Sequence, residues 1–172
     1  MPSKLILFCL LLLIVKFLSC HPDQSSTSQK GTNKKSERIF RTIYRVIDGD
    51  TFWLKDKNGY IEKVRLIGID APESRKSQHK DIQRFGKKSK DFLVKFLKNK
   101  KVALEYDVQK ADQYGRTLAY VYLEDGTFLN NYLIRNGYAK VVTFPPNVKY
   151  HKRLLESERY ARKNKLGMWK KK

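Results

Sequence analysis

The chain has 172 residues, with 37 lysines and arginines against 17 aspartates and glutamates and a formal net charge of +20. A chain of this length holds one domain of roughly 100–150 residues with short extensions, which excludes an assembly of several large cores. The charge favours a polyanionic partner, and nucleic acid, heparin-like glycan and anionic membrane all meet that description.

The first predicted element is a targeting segment. A positive start, Met1 to Lys4, precedes an unbroken apolar run from Leu5 to Val15. The run has the length of a signal peptide and is shorter than the about 20 residues that a membrane span needs. The alternative is an uncleaved anchor that continues to Leu18, with the charge of Lys16 inside the apolar stretch. We therefore predict a signal peptide over residues 1–19 and a secreted or extracytoplasmic protein.

The end of this segment, Phe17-Leu18-Ser19-Cys20, resembles a bacterial lipobox. In that resemblance Cys20 would be lipidated, would become the new N-terminus and would tether the protein to a membrane. Lipoboxes usually carry leucine in place of Phe17 and a smaller residue in place of Leu18, so lipid anchoring and simple secretion both stay open. Cys9 falls in the apolar run, so the mature protein has no cysteine pair and depends on a packed core.

A polar linker is predicted next. The residues from His21 to Lys35 include no large apolar side chain, and such a segment cannot bury enough surface to order itself. We assign residues 20–38 to this flexible linker and residues 39–170 to the folded domain.

Three strands are predicted in succession at the start of the domain. Residues 39–47 are rich in β-branched and aromatic side chains and run into Asp48-Gly49, after which residues 51–54 continue the same character. That pattern is typical of a β-hairpin. A second turn at residues 56–59 leads into a third strand over residues 60–69, before Pro72.

The period of the pattern then changes from strand to helix. Between Ile82 and Asn99 large apolar residues fall on one side and lysines on the other, which predicts an amphipathic helix. The remaining predicted elements are strands at 101–108 and 116–123 and helices at 128–136, capped by Gly137, and 148–165. Five mostly antiparallel strands with three α-helices indicate an α+β fold, with a five-stranded oligonucleotide-binding (OB-fold) β-barrel as the natural candidate.

Two aspartates stand where side chains reach the mouth of such a barrel. Asp50 follows the first turn and Asp70 ends the third strand, and their hard oxygen atoms suit calcium or magnesium. Pro72 holds Ala71 extended, so the Ala71 carbonyl can face the same cation. Taken singly, each aspartate is equally typical of a turn.

A further acid and two arginines complete the groups that phosphodiester chemistry requires. A carboxylate beside a metal site can orient or deprotonate the attacking water, which gives Glu73 a role. Arg65 and Arg116 can bind the equatorial phosphate oxygens through their planar guanidinium groups. Strand alternation places Arg65 and Asp70 on opposite faces, so one shared site requires the strand to bulge or end between them, most readily at Gly68.

An aromatic side chain stands beside the second arginine. Tyr114 can donate its hydroxyl to a terminal phosphate, stack on a base or pack on the barrel rim. The stripe of Leu118, Tyr120 and Tyr122 indicates packing in the core and at the rim instead of a base-stacking platform.

Three motifs follow one another in a fixed order: Asp-Gly-Asp-Thr at 48–51, Arg-Leu-Ile-Gly-Ile-Asp-Ala-Pro-Glu at 65–73 and Asp-Gln-Tyr-Gly-Arg at 112–116. Together with Gly-Tyr-Ala-Lys at 137–140 and Leu-Gly-Met-Trp at 166–169, they resemble the thermonuclease family, the staphylococcal-nuclease-like domain, over about residues 39–170.

The resemblance implies a calcium-dependent phosphodiesterase that cuts DNA and RNA, in endonuclease or exonuclease mode, and leaves 3′-phosphate ends. We expect it to act as a monomer. By position, it assigns a metal set of Asp50, Asp70 and the Ala71 carbonyl, a catalytic set of Arg65, Glu73 and Arg116, and a terminal-phosphate contact at Tyr114.

The departures from the family pattern lie around the substrate. Ala71 replaces a threonine, and Gln113 stands where the family often has a lysine that contacts phosphate. The loop Thr143-Phe144-Pro145-Pro146 is about one residue shorter than a loop that can bring tyrosines to the base and sugar. These changes bear on substrate affinity and base preference, for which Gln113 and Tyr114 are the predicted binding residues, more than on catalysis.

Two other functions remain open beside a metal-dependent nuclease. A barrel that binds nucleic acid without cleaving it is favoured by the altered rim at Gln113 and Thr143. The intact acids argue against it, because like charges held close together are unfavourable in a site freed from catalysis. The other alternative is adhesion to glycan or membrane through the basic helices, especially over Lys149 to Lys172.

Overall fold

The fold comes from a computed structural model of the chain, which describes residues 38–76 and 83–170. The predicted signal peptide, Cys20 and the linker up to residue 37 lie outside the described residues. Residues Glu37–Lys172 belong to one compact unit. Within the two described ranges, no helix has the length and apolar character needed to cross a membrane.

Over the described ranges, strands and helices follow one another along the chain. The strands are β1 (Arg41–Asp48), β2 (Thr51–Lys55), β3 (Ile61–Leu66), β4 (Ile69–Asp70), β5 (Lys101–Glu105), β6 (Thr117–Leu123) and β7 (Lys140–Val141). The α-helices are α1 (Gly86–Leu97), α2 (Leu129–Arg135) and α3 (His151–Lys163), and a short 3₁₀ turn covers Gly167–Trp169.

A closed barrel forms from five of the described strands, in the order β1-β2-β3-β6-β5, with β5 returning to β1. Its strand pairs are antiparallel except β3 and β6, which run parallel. The predicted α+β fold, with a five-stranded OB-fold barrel and three α-helices, is confirmed. β5 ends at Glu105, before the predicted end at Val108, because Asp107 leaves the sheet to accept hydrogen bonds from the Tyr120 hydroxyl and the Lys149 N–H.

The core lies inside the barrel and under the helices that cover it. Phe52 on β2 and Leu93 on α1 have no exposed surface, and Tyr120 and Tyr122 on β6 are 1% and 7% exposed, so the tyrosine stripe packs in the core as predicted. Asn130 on α2 is a buried polar exception whose amide is fully used. It accepts from a backbone N–H of β6 and donates to the carbonyl after β3, which joins α2 to both strands.

The third predicted strand is divided in two. β3 ends at Leu66, Gly68 adopts a φ of +77°, and β4 begins at Ile69. A Cβ on Gly68 would lie 2.6 Å from a Leu154 methyl carbon, at the end of a side chain that can shift, so it is the backbone angle that requires glycine. The interruption of the strand that one shared site requires is therefore present at Gly68, the predicted residue. β4 then pairs with β7, a two-residue strand that the sequence did not predict.

Helix α1 is shorter than the predicted span of residues 82–99. It begins at Gly86, where the backbone packs directly against the chain at Glu73: a Cβ on Gly86 would lie 2.0 Å from the Glu73 carbonyl oxygen. Phe85 precedes the helix with a φ of 75°. The contact with Glu73 thus fixes where the helix starts.

Candidate active site

Asp50 occupies the turn between β1 and β2 and is almost completely buried, with 7% of its surface exposed. One carboxylate oxygen, Oδ2, accepts the Ala71 N–H at 2.7 Å and lies 3.0 Å from Arg65 Nη1, while Oδ1 accepts the Thr51 hydroxyl at 2.9 Å. Burial raises the pKa of Asp50 above its ordinary value, although Arg65 and the Ala71 N–H act in the lowering direction. The negative charge of Asp50 has lost most of its hydration here, and a bound cation would offset that loss.

Arg65 links Asp50 to Asp70. Its Nη2 lies 3.2 Å from Asp70 Oδ1, and its Nη1 donates to the Ile69 carbonyl at 2.9 Å. Lys140 Nζ is 3.4 Å from the other Asp70 oxygen, because the pairing of β4 with β7 sets Lys140 opposite Asp70. The structure therefore brings Asp50, Arg65 and Asp70 together, and we call these three residues the acid floor.

Glycine at position 49 permits the approach of the first turn to the chain at Ala71. A Cβ on Gly49 would lie 2.7 Å from the Ala71 Cβ and 3.0 Å from the Ser89 Cβ, closer than real side chains pack. Ala71 was predicted to act through its carbonyl, but the contact it makes with Asp50 is through its N–H. The role of the carbonyl stays a prediction.

Glu73 lines the same cleft as Asp50 and Asp70, a cavity of about 860 Å³. Its backbone is fixed from the start of α1. The Gln83 N–H donates to the Glu73 carbonyl at 2.9 Å, and Gly86 packs on that carbonyl without room for a side chain. Glu73, the predicted general base, lies in no strand, and its backbone is held by Gln83 and by the contact with Gly86.

Arg116 lies at the other side of the cleft and is held by Asp112. Its Nε donates to Asp112 Oδ2 at 2.7 Å and its Nη2 lies at the same distance. The other Asp112 oxygen accepts the backbone N–H groups of Tyr114 and Arg116. Partial burial raises the pKa of Asp112, but these hydrogen bonds outweigh it and hold the pKa below its ordinary value. Gly115 completes the turn with a φ of +70°.

The predicted substrate-binding residues lie on this turn. Tyr114 is 71% exposed, with its ring centroid 5.5 Å from the Arg116 guanidinium, and Gln113 is exposed beside it. Both line the cleft, as do Phe144 and Pro145 from the loop after β7. We call residues 112–116 and 143–147 the rim.

A buried amide ties the rim loop at 143–147 to Gln109, three residues before the rim turn at 112–116. Asn147, 6% exposed, accepts the Gln109 N–H through Oδ1 at 2.8 Å and donates through Nδ2 to the Gln109 carbonyl at 2.8 Å. One side chain therefore satisfies both backbone groups of a residue 38 positions earlier in the chain. Nothing in the local pattern predicts this clamp, since Asn147 is typical of an ordinary loop residue after proline.

Other side chains at the site were not predicted from the sequence. Lys140 on β7 pairs with Asp70, and Asp112 fixes Arg116. Trp53 and Lys63 line the cleft beside the acid floor. Strand alternation was the available signal for these last two, because Trp53 is two residues after Thr51 and Lys63 is two residues before Arg65.

The acid floor fits a hard divalent cation. In residues 38–76 and 83–170, no group of three or more His, Cys, Asp or Glu side chains is placed to hold a metal. Two carboxylates nevertheless approach one guanidinium within 3.2 Å, and one of them is buried with a raised pKa. Oxygen donors of this kind, completed by backbone carbonyl and water, are those that calcium uses in proteins.

The fold and the cleft together define a class, an OB-fold barrel with a nuclease-type arrangement of acids and arginines. A sequence profile described as Staphylococcal nuclease homologue matches residues 63–171. The chain belongs to the staphylococcal nuclease family.

Named relatives agree with this assignment. The thermonuclease of Staphylococcus hyicus is 36% identical over 165 residues, which cover 96% of this chain and 94% of the relative. The thermonuclease of Staphylococcus intermedius is 44% identical over 143 residues, 81% of this chain and 83% of the relative. The SPbeta prophage-derived endonuclease YokF of Bacillus subtilis is 34% identical over 137 residues, 78% of this chain and 45% of that protein.

Proposed function

We propose that this protein is a calcium-dependent nuclease that hydrolyses phosphodiester bonds of DNA and RNA and leaves 3′-phosphate ends. The observation that carries the proposal is the acid floor: two carboxylates held by one guanidinium in the cleft that also contains Glu73 and Arg116. Family membership and the names of the relatives support the same chemistry.

In this proposal Asp50, Asp70 and the Ala71 carbonyl hold the cation. Bound there, calcium supplies positive charge that polarises a phosphate oxygen. The tight packing at Gly49 and the Ala71 N–H keep the buried carboxylate in place before any cation arrives. Asp50 is buried with a raised pKa and shares one guanidinium with Asp70, so the two carboxylates favour a further cation between them.

Glu73 and the two arginines carry out the substitution at phosphorus. A water molecule attacks phosphorus, its proton passes to the Glu73 carboxylate, and the bond from phosphorus to the 5′ oxygen breaks. The leaving oxygen takes a proton from solvent. Arg65 and Arg116 bind the phosphate oxygens as their negative charge grows, and Asp112 keeps the Arg116 fork oriented so that little reorganisation is needed. Tyr114 and Gln113 contact the substrate from the rim.

The proposal includes a location outside the cytoplasm and action as a monomer. The signal-like residues 1–19 support secretion, with lipidation at Cys20 as the anchored form. Mass spectrometry of the mature N-terminus from the native host distinguishes the two: a diacylglyceryl-modified Cys20 supports the tether, and an unmodified N-terminus supports simple secretion.

The central test is cleavage of plasmid DNA and of RNA by the purified chain, with calcium and with a chelator. We expect cleavage only with calcium, and 3′-phosphate ends that a 3′-phosphatase removes. Glu73→Gln should lower kcat by about 100- to 1000-fold, while Glu156→Gln, a matched change on the exposed side of α3, should leave kcat unchanged. Calorimetric titration of calcium should show binding that Asp50→Asn and Asp70→Asn abolish.

The same assays separate the alternatives. Salt-sensitive DNA binding without cleavage, unaffected by Asp50→Asn, Asp70→Asn or Glu73→Gln, would establish a binding module in place of a nuclease. Much tighter binding to heparin or anionic vesicles than to DNA at matched salt would favour adhesion through the basic helices.

A further inference from the structure

A row of cationic and aromatic side chains crosses the outer face of the barrel. The strand register sets Arg45 opposite Trp53 and Trp53 opposite Lys63, so the three side chains point to the same face. The parallel register of β3 and β6, extended by one residue, brings Arg116 beside Lys63. We call Arg45, Trp53 and Lys63 the barrel-face row.

The barrel-face row is continuous with the cleft. Trp53 and Lys63 line it together with Asp50 and Arg65. Thr51 pairs with Arg65 and precedes Trp53 by two residues on β2, so the row lies about 7 Å along the strands from the acid floor. A chain whose phosphate lies at Arg65 reaches this row with its next nucleotide.

The chemistry of the row suits a nucleotide that is not base-paired. Trp53 is half-buried and Lys63 and Arg45 are exposed, with Lys63 Nζ 5.7 Å from the indole centroid. Among the hydrogen bonds and ion pairs of the described residues, none joins Lys63 or Arg45 to an acid. An indole face beside two cations that no acid neutralises can stack a base while attracting the phosphates on either side of it.

We propose that the barrel-face row is a subsite for an unpaired nucleotide of the polynucleotide substrate, next to the nucleotide whose phosphate Arg65 and Arg116 bind. The base stacks on Trp53, and Lys63 and Arg45 contact the flanking phosphates. The inference rests on the nuclease function proposed above. The subsite takes an unpaired nucleotide, because bases stacked inside a duplex reach Trp53 only after they leave the stack.

The test uses the full chain carrying Glu73→Gln, so that the ligand is bound but not cut. Two ligands are compared in calcium buffer by fluorescence anisotropy: a thymidine dinucleotide, which fills the cleft alone, and an oligothymidylate of about eight nucleotides, within the site size of OB-fold proteins. Trp53→Ala should weaken binding of the longer strand by about 5- to 100-fold and leave the dinucleotide unchanged. Trp53→Phe should retain most of the affinity, and Trp53→Leu, which keeps an apolar side chain, should not.

Lys63→Gln provides a second measurement that keeps the indole of Trp53 in the chain. It should reduce the slope of log affinity against log salt by about 0.7 for the longer strand, as expected for one lost phosphate contact on a single strand.

The chain offers a matched control in a second aromatic and lysine pair. Lys55 Nζ lies 5.4 Å from the ring of Tyr44, and both side chains are exposed on strands β1 and β2, yet neither lines the cleft. Tyr44→Ala and Lys55→Gln should leave both ligands bound as in the parent. Thermal unfolding of every variant confirms that the folds are equivalent.

Three results would overturn the subsite. They are an effect of Trp53→Ala on the longer strand no larger than that of Tyr44→Ala, an equal loss for the dinucleotide and the longer strand, and binding of a blunt duplex as tight as that of the single strand. If the unmodified protein cleaves nucleic acid while these results hold, the subsite alone is wrong. If it neither binds nor cleaves any nucleic acid, the proposed function is wrong and the subsite with it.

Discussion

The acid floor and the rim hold their functional side chains in different ways. In the floor, the side chains of Arg65 and Asp50 are 14% and 10% exposed, and Arg65 on barrel strand β3 joins Asp50, in the turn before β2, to Asp70 on the short strand β4. At the rim, Tyr114 and Phe144 are 71% and 68% exposed, and Asn147 ties the second loop to Gln109, just before the first loop. Buried contacts thus hold the residues of the acid floor, while Arg116 and the groups that contact the nucleic acid lie on loops at the surface.

The largest expected effect comes from a glycine that packs against Glu73, the predicted general base. Gly86→Ala places a methyl group against the Glu73 carbonyl, so the Glu73 loop must move. A displacement of about 1 Å at a catalytic group lowers kcat by about 100-fold, and the crowding should lower the free energy of unfolding by about 1–3 kcal/mol. Steady-state kinetics and urea unfolding measure the two effects.

The rim supplies the control for this change. Gly115→Ala meets no atom within 4 Å and strains only a φ of +70°, which costs about 1–2 kcal/mol. We expect it to change KM more than kcat. A larger fall in kcat for Gly115→Ala than for Gly86→Ala would mean that catalysis depends more on the turn that carries Arg116 than on the position of Glu73.

Removing the hydrogen bonds of Asn147 should affect substrate binding at the rim more than catalysis at the acid floor. Asn147→Ala removes the side-chain partner of the N–H and carbonyl of Gln109, which is an exposed residue, at a cost of about 0.5–1.5 kcal/mol for each hydrogen bond in the free energy of unfolding. Because the two loops then lose their fixed spacing, KM should rise by about tenfold while kcat stays within about twofold, since a loss of uniform binding raises KM alone.

Two further variants test whether the effect of Asn147→Ala comes from its hydrogen bonds to Gln109. Asn147→Asp keeps the acceptor for the Gln109 N–H but sets a carboxylate against its carbonyl, so it should be at least as harmful. Asn164→Ala, which removes only an exposed hydrogen bond at the end of α3, should have no effect on KM. An equal loss of kcat and kcat/KM in Asn147→Ala would show that the clamp supports the chemistry itself.

Neutralising one aspartate in each region should change the stability of the fold in opposite directions when no metal is bound. Burial raises the pKa of Asp50, so its charged form is disfavoured in the folded protein and Asp50→Asn should raise the melting temperature at neutral pH. The amide can still accept the Ala71 N–H and can donate to the Thr51 hydroxyl. Hydrogen bonds hold the pKa of Asp112 low, so Asp112→Asn should lower stability by about 1–3 kcal/mol.

The pH dependence gives the sign of the Asp112 effect independently. A carboxyl group with a lowered folded-state pKa stabilises the fold above its unfolded-state pKa, and this contribution is lost as the pH falls through the folded-state value. The stability difference between the parent and Asp112→Asn should therefore be constant at neutral pH and shrink in acid, below the ordinary pKa of aspartate. Urea unfolding across this range measures it, and a difference that grows in acid would contradict the assignment.

The sequence allowed the floor to be predicted better than the rim, for physical reasons. Asp50, Arg65 and Asp70 stand beside turns and strand ends whose pattern is local, and the geometric need for a break at Gly68 followed from alternation alone. β4 and β7 are too short to show a period, so the pairing of Lys140 with Asp70 left no signal. Asn147 and Gly86 act through residues distant in the chain, and only the tertiary structure brings those partners together.

The smallest expected effect tests whether the rim limits affinity. Gln113 is exposed and lines the cleft next to Tyr114, so Gln113→Lys adds one cation where a phosphate can approach without disturbing the floor. We expect KM to fall by about threefold at low salt and the gain to vanish near 1 M salt, where the screening length falls to about 3 Å. Lys152→Gln combined with Gln113→Lys restores the net charge by a change on the exposed face of α3, so a gain that persists in the double variant is local to the rim. A gain that disappears on this compensation would mean that total charge, and not the position of residue 113, sets the affinity.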